Sequence, residues 1–243
     1  MNLSPPSPHN HYRRRHRPRH HSSHPHKRHS NENDQQRTNY IIDTFLKNFT
    51  NDIRENPKGW RNRFHKMAAN EFSFYRGSAV LFYRDMLYNS KHDRWLKNCK
   101  EASHVFIHGD LHGENFGTYI DRHGIINFDV NDFDEGYVGP FTWDVKRLVA
   151  SINLITYSKA YSDEKIAQLI RCLVSSYLKQ IYEYCNSTER TIRKAIGGND
   201  EGFIQDMISF AMTYGNRVRR DHRLFFEAFR NGRIPMLQVD ESH

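Results

Sequence analysis

Apolar residues recur at steps of three and four along most of the chain, and at steps of two in only one region. Ile41, Ile42, Phe45, Leu46 and Phe49 share a helical stripe that ends before Pro57. Trp60, Phe64 and Met67 mark a second short helix, and Val80, Leu81, Arg84 and Leu87 mark another. Val145, Leu148, Val149, Ile152 and Ile155 form the apolar face of a helix for which Thr142 is the expected N-cap. The clearest pattern follows Ser162, placed to cap a helix that carries Ile166, Leu169, Ile170, Leu173, Val174, Tyr177, Leu178 and Ile181 at steps of three and four. A helix starts at Ser187 or Thr188, and Phe203, Met207, Phe210 and Tyr214 outline one more. The basic run Arg217, Arg219, Arg220 and Arg223 then reads as a solvated helix face.

The period-two region is Ile126, Phe128 and Val130 alternating with Asn127, Asp129 and Asn131. The turn-forming run Asp121-Arg122-His123-Gly124 precedes it, so residues 115–120 and 125–130 are expected to form a hairpin. Val105 to Ile107 reads as a short buried strand, and Gly136 with Gly139-Pro140 as a turn. The pattern therefore predicts an α+β fold, mostly helical, with one small antiparallel hairpin at its centre.

Charge changes this picture at one end only. Residues 1–30 hold eight His, six Arg, one Lys and no acid, which accounts for +7 of the formal net charge of +8. The pI near 9.4 is thus a property of the tail. With five prolines and almost no apolar residues, residues 1–37 are expected to be a disordered, dispensable tail, with the domain spanning 38–243. Such a tail has weak, salt-sensitive affinity for polyanions and for Zn, Ni or Cu. No apolar segment of signal-peptide or membrane-spanning length is present. Cys99, Cys172 and Cys185 fit no metal or redox spacing, so an intracellular, cytoplasmic protein with reduced thiols is expected, nuclear import being compatible with the basic tail.

The candidate chemistry begins where the Val105–Ile107 strand stops. His108-x-Asp110 followed five residues later by Asn115 is the H-x-D-x-x-x-x-N spacing of a kinase catalytic loop. In that loop the Asp accepts the substrate hydroxyl proton and the Asn holds a magnesium ion. The expected hairpin carries Asp129 back towards Asp110 and Asn115, where a carboxylate suits Mg²⁺ or Mn²⁺, and Asp132 joins the metal candidates. Arg76, next to Gly77, is suited to clamp a phosphate or carboxylate; the plainer reading is an Arg snorkelling from an aromatic cluster or paired with a nearby acid.

The run HGDLHGEN, a hairpin, INFDVNDFDE and GPFTWD resembles the catalytic half of aminoglycoside-phosphotransferase-like kinases. More closely, Phe74-Tyr75-Arg76-Gly77-Ser78-Ala79, GDLHGENFG, FDVNDFDE and GPFTWDVKRLVAS are similar to the uncharacterised domain-of-unknown-function family 2252, over about residues 57–160. The resemblance implies a kinase-like large lobe, with Asp110 as base, Asn115 and Asp129 as metal ligands, and Asp144 bracing the catalytic loop from a following helix. ATP is then the expected donor, to an acceptor the sequence does not identify. Members of that family look circularly permuted, with the Gly-rich turn and phosphate-contacting Lys after the catalytic block. This chain has no G-x-G-x-x-G and no V-A-I-K-like strand, so its nucleotide lobe is expected to be missing or partner-supplied.

Two other readings compete. A truncated, non-catalytic binding protein explains the missing Gly-rich element and Lys. Gly109-Asp110-Leu111-His112-Gly113 also resembles the opening motif of metallophosphoesterases, although the G-D-x-x-D and G-N-H that complete a two-metal site are absent.

Overall fold

A computed structural model describes residues 26–89, 93–184 and 186–234 of the chain. Five helices come first: α1 (His26–Glu55), α2 (Pro57–Ala68), α3 (Glu71–Gly77), α4 (Ala79–Asn89) and α5 (Arg94–Asn98). Four short strands follow: β1 (Val105–Ile107), β2 (Phe116–Ile120), β3 (Ile126–Val130) and β4 (Tyr137–Gly139). The helices α6 (Phe141–Ser158), α7 (Asp163–Glu183), α8 (Ser187–Ile196) and α9 (Asp200–Arg230) complete the described part. The fold is α+β and mostly helical, as the apolar spacing predicts.

The helices start where side chains satisfy their free N–H groups. Asn56, Asn70, Asn186 and Asn199 cap α2, α3, α8 and α9, and Ser162 caps α7 as expected. Thr142 does not cap α6: the helix begins after Pro140, and the Thr142 hydroxyl donates to Asp93 Oδ2 at 2.8 Å. Inside the domain α6 packs along α9, and α7 and α1 also pack on α9. Close approach of α6 and α9 depends on Gly215, because a Cβ there would lie 2.1 Å from Asn153 Oδ1. Phe45, Phe64, Phe74 and Phe225 lock α1, α2, α3 and α9 together, with ring centroids 5.2 to 5.6 Å apart.

Two antiparallel two-stranded sheets are present where the sequence pattern predicts one hairpin. The expected hairpin forms from β2 and β3, with Gly117 opposite Asp129. The second sheet pairs β1 with β4, Phe106 opposite Val138; β4 is three residues long and lies inside a stretch read as turn. Nor is the β2–β3 hairpin the centre of the fold. Ile126 and Phe128 are 72% and 71% exposed, so their alternation marks a face that none of the described residues covers.

The amino-terminal boundary also differs from expectation. Helix α1 begins at His26, so the limit expected at residue 37 falls inside a helix; residues 1–25, with most of the His/Arg tail, lie outside the described residues. Polar pairing, invisible to an apolar stripe, anchors this extension. Asp34 bonds Arg220 at 2.7 Å and Arg223 at 3.2 Å, and Arg37 reaches both Asp85 and Asp221. The basic run of α9 is therefore a contact face: Arg220 and Arg223 hold α1, Arg217 lies 3.8 Å from Asp85 of α4, and Arg219 bonds Asn153 of α6. Cys99 and Cys172 are free thiols, and Cys185 lies outside the described residues. Among the described residues no helix is long and apolar enough to cross a membrane.

Arg37 joins α1, α4 and α9 through one guanidinium, with Asp85 and Asp221 both buried. Burial pushes the Asp221 carboxyl up, and Arg37 pulls it back down. Arg37→Met removes the cation between two buried acids and should cost about 3–5 kcal/mol at neutral pH. The sign with pH follows from the direction of the shift. A carboxyl whose folded pKa is raised takes up a proton more readily when folded, so stability returns as pH falls through that value. Urea unfolding at pH 7.5 and pH 5 checks this: the deficit of Arg37→Met should be smaller at pH 5.

Candidate active site

One face of α6 holds the loop that follows β1. Asp144, Arg147 and Ser151 fall at i, i+3 and i+7, so they line up along the helix. The Asp144 carboxylate accepts the backbone N–H groups of His108 (2.6 Å) and Gly109 (3.1 Å). Arg147 Nε donates to Asp110 Oδ1 at 2.7 Å, with Nη2 bonded to the same oxygen. The Ser151 hydroxyl accepts from Gly113 N at 3.0 Å and donates to the Leu148 carbonyl. Three rungs thus fix residues 108 to 113 in order along one helix.

The backbone of this loop requires its glycine. Gly109 has φ +86°, and a Cβ there would sit 1.9 Å from the Glu135 carbonyl oxygen. His108 is buried and both its ring nitrogens are engaged. Nε2 faces the Asn131 carbonyl at 2.8 Å and must carry the hydrogen, while Nδ1 accepts from Asp110 N at 3.3 Å. Asn131 N in turn donates to the Asn115 carbonyl at 2.9 Å. These two bonds hold the end of β3 against the loop, and the Phe133 ring lies 4.9 Å from that of His108.

The remaining site residues show what each has left to offer. Asn115 is buried and its Oδ1 accepts from His112 N at 2.8 Å, which leaves one lone pair. Asp129 is exposed, and its Oδ1 accepts from Val130 N at 2.7 Å. Asp132 has a positive φ of 65° and is near enough to His112 to act on its charge. His112 is pushed down to about 4, chiefly by burial and then by Arg147 and Arg76, so it is neutral at pH 7. Asp110, Asp129 and Asp132 do not gather into one cluster: among the described residues no three His, Cys, Asp or Glu side chains could hold a metal by themselves. Each metal candidate has at least one lone pair left. A metal held here would have to bring most of its ligands with it, such as phosphate oxygens and water.

A cavity of about 850 Å³ opens beside Asp110. Trp60, Tyr83, Tyr137 and Trp143 supply aromatic walls, and Arg76 and Glu135 line it with charge. Arg76 is ion-paired to the exposed Glu114. The buried Tyr83 hydroxyl on the cavity wall lies beside Tyr137, while Arg147 is set behind the wall in the core.

Arg147 is the residue that sequence reasoning missed. It is fully buried, its guanidinium 4.5 Å from the Tyr75 ring centroid and 5.3 Å from that of Phe82. Burial opposes its charge, but Tyr75, Asp110 and Tyr83 outweigh that and raise its pKa. The available signal was a charged residue in the middle of the apolar run around Val145, Leu148 and Val149.

A family model described as an uncharacterized protein conserved in bacteria, DUF2252, matches residues 54–196. No curated protein and no solved structure matches the chain. The matched segment contains the loop, the hairpin and the whole α6 ladder.

Arg147→Met should cost about 3–5 kcal/mol, because it strips a carboxylate of its buried partner. Arg147→Met with Asp110→Asn should recover at least about 1 kcal/mol of that loss in a denaturation cycle. Strictly additive losses would show that the pair does not act as a unit.

Proposed function

The chain belongs to the DUF2252 family, and from that premise we propose that it carries the catalytic half of a kinase-like phosphotransferase. The observation that carries the reading is the bracing of the His108–Gly109 backbone by Asp144, which leaves the Asp110 carboxylate lining the large cavity. A phosphoryl-transfer site works mainly by positioning, and a loop held at three points along one helix is built for that. Asp110 Oδ1 is held by Arg147, so Oδ2 is the oxygen left to take a proton from an acceptor hydroxyl. His108, with both nitrogens engaged, positions the loop. Asn115, Asp129 and Asp132 would hold Mg²⁺ or Mn²⁺, which when bound neutralises charge on the phosphates of an ATP donor. Arg76, on the cavity wall, offers a guanidinium to an anionic group. The nucleotide lobe comes from a partner or from sequence outside the described residues.

One observation favours a non-catalytic reading, in which the chain keeps the fold to bind a partner. The Asp110 carboxylate is already the counter-ion of a buried guanidinium, and Asn115 Oδ1 already has a protein partner. The two-metal hydrolase reading has no gathered ligand set behind it among the described residues.

Titration of Mg²⁺ with and without ATP separates these readings. In the wild type, ATP should raise the metal affinity at least about tenfold, because its phosphate oxygens complete the ligand set. Asp129→Ala should lose that gain. Steady ATP turnover by this chain alone should stay below detection. No gain with ATP in the wild type would leave the binding role as the better description.

A further inference from the structure

The cavity beside Asp110 carries three charged groups that the phosphotransferase reading leaves unused: Asp52 of α1, Arg63 of α2 and Glu135. All three residues are exposed, and none of the three side chains has a hydrogen-bond or ion-pair partner among the described residues. The Arg63 guanidinium lies 4.7 Å from the Trp60 ring centroid and 5.6 Å from that of Phe49, so two rings hold it while its N–H groups stay uncommitted. Arg76 is paired with Glu114, but both side chains are about half exposed, and a pair of that kind is worth little and exchanges readily.

Aromatic rings complete the wall. Tyr137 is 36% exposed, and it rests against Tyr83 with centroids 5.8 Å apart. Tyr83 rests in turn against Trp143 at 5.5 Å. Gly139 makes room for the Tyr137 ring, since a Cβ there would lie 2.8 Å from it.

We propose that this cavity binds a neutral carbohydrate of one or two sugar rings. Guanidiniums only donate hydrogen bonds and carboxylates only accept them, and this cavity presents both. A cationic ligand would face Arg63 and Arg76, and an anionic one Asp52, Asp110 and Glu135. A hydroxyl both donates and accepts, so it serves either kind of group without meeting like charge. A compact zwitterion would satisfy the charges and leave the aromatic wall bare, whereas the C–H face of a sugar ring covers Tyr137. A volume of about 850 Å³, near the top of the range for small-molecule sites, admits a second ring. The binding needs neither metal nor nucleotide; the sugar's role as phosphoryl acceptor rests on the phosphotransferase reading. Under that reading the hydroxyl beside Asp110 Oδ2 gives its proton to that oxygen, its own oxygen bonds to the γ-phosphorus of ATP, and ADP leaves.

Saturation-transfer NMR on the full chain, without ATP or Mg²⁺, tests the binding. The neutral probes are glucose, galactose, ribose and maltose; the charged ones are glucosamine, glucose 6-phosphate and serine. At least one neutral sugar should bind saturably, at least about tenfold tighter than any charged probe. Arg63→Gln and Glu135→Gln should each weaken that sugar at least about fivefold, since each removes a charged hydrogen-bonding group. Both variants should keep the wild-type circular dichroism, because the side chains are exposed. An anionic ligand would instead gain affinity from Glu135→Gln, and a cationic one from Arg63→Gln. Either gain, tighter binding of a charged probe, or no saturable binding of any of the four sugars overturns the proposal. Such a failure leaves the phosphotransferase reading to the Mg²⁺ and ATP titration, which uses no sugar.

Discussion

The site depends on one helix face reading one loop. Asp144, Arg147 and Ser151 meet successive groups from His108 to Gly113, and each contact is of a different kind. Asp144 takes up backbone N–H groups that would otherwise be left unsatisfied, Arg147 holds a side-chain carboxylate, and Ser151 bonds the first residue of the following turn. The energetic logic favours a unit. A guanidinium fully buried against Tyr75 and Phe82 is tolerable only while Asp110 and the Tyr75 carbonyl remain in place. Asp110 is thereby the counter-ion of a core cation, whatever else it does.

The rest of the domain supports that arrangement. The α6 helix is clamped between α9 and α7, and Gly215 sets how closely α9 can approach. Helix α9 is held in turn by α1 through Arg37, Asp221 and Asp34. The two small sheets are different in kind. They are tied to the loop by the His108–Asn131 and Asn131–Asn115 bonds and leave much of their apolar surface to solvent. Two-stranded sheets of this size are marginal by themselves, so the loop and α6 hold them more than their own pairing does.

Much of this was legible in the sequence, for definite reasons. Helices with a strong 3.6-residue period and a side-chain cap, such as α7 after Ser162, were readable because one stripe and one hydroxyl suffice. The hairpin was readable from alternation, while the bracing role of Asp144 was carried only by the family resemblance. The early start of α1 was not, because Asp34 and Arg37 stabilise it through partners 184 and 186 residues away. Strand β4 was too short to carry a period. Arg147 and Ser151 were hidden by the apolar residues around them, although i, i+3, i+7 spacing of polar groups in a buried helix is itself a pattern. Alternation in β3 showed which residues share a face, but it carries no information on whether that face is covered.

The distance along the chain between loop and helix has a consequence of its own. Asp144 stands 36 residues from His108 and 35 from Gly109. Closing a segment of that length costs about 3 kcal/mol of chain entropy, against only a few bonds gained at the contact itself. The HGD segment therefore cannot organise itself early or alone. A growing chain that has released residues 104–117 but not 141–158 carries the whole motif without any of the contacts from α6. Insertions in the intervening hairpin tip would be nearly neutral to that closure, since its entropy grows only with the logarithm of length. A substitution on one face of α6, by contrast, disorders a loop it never adjoins in sequence.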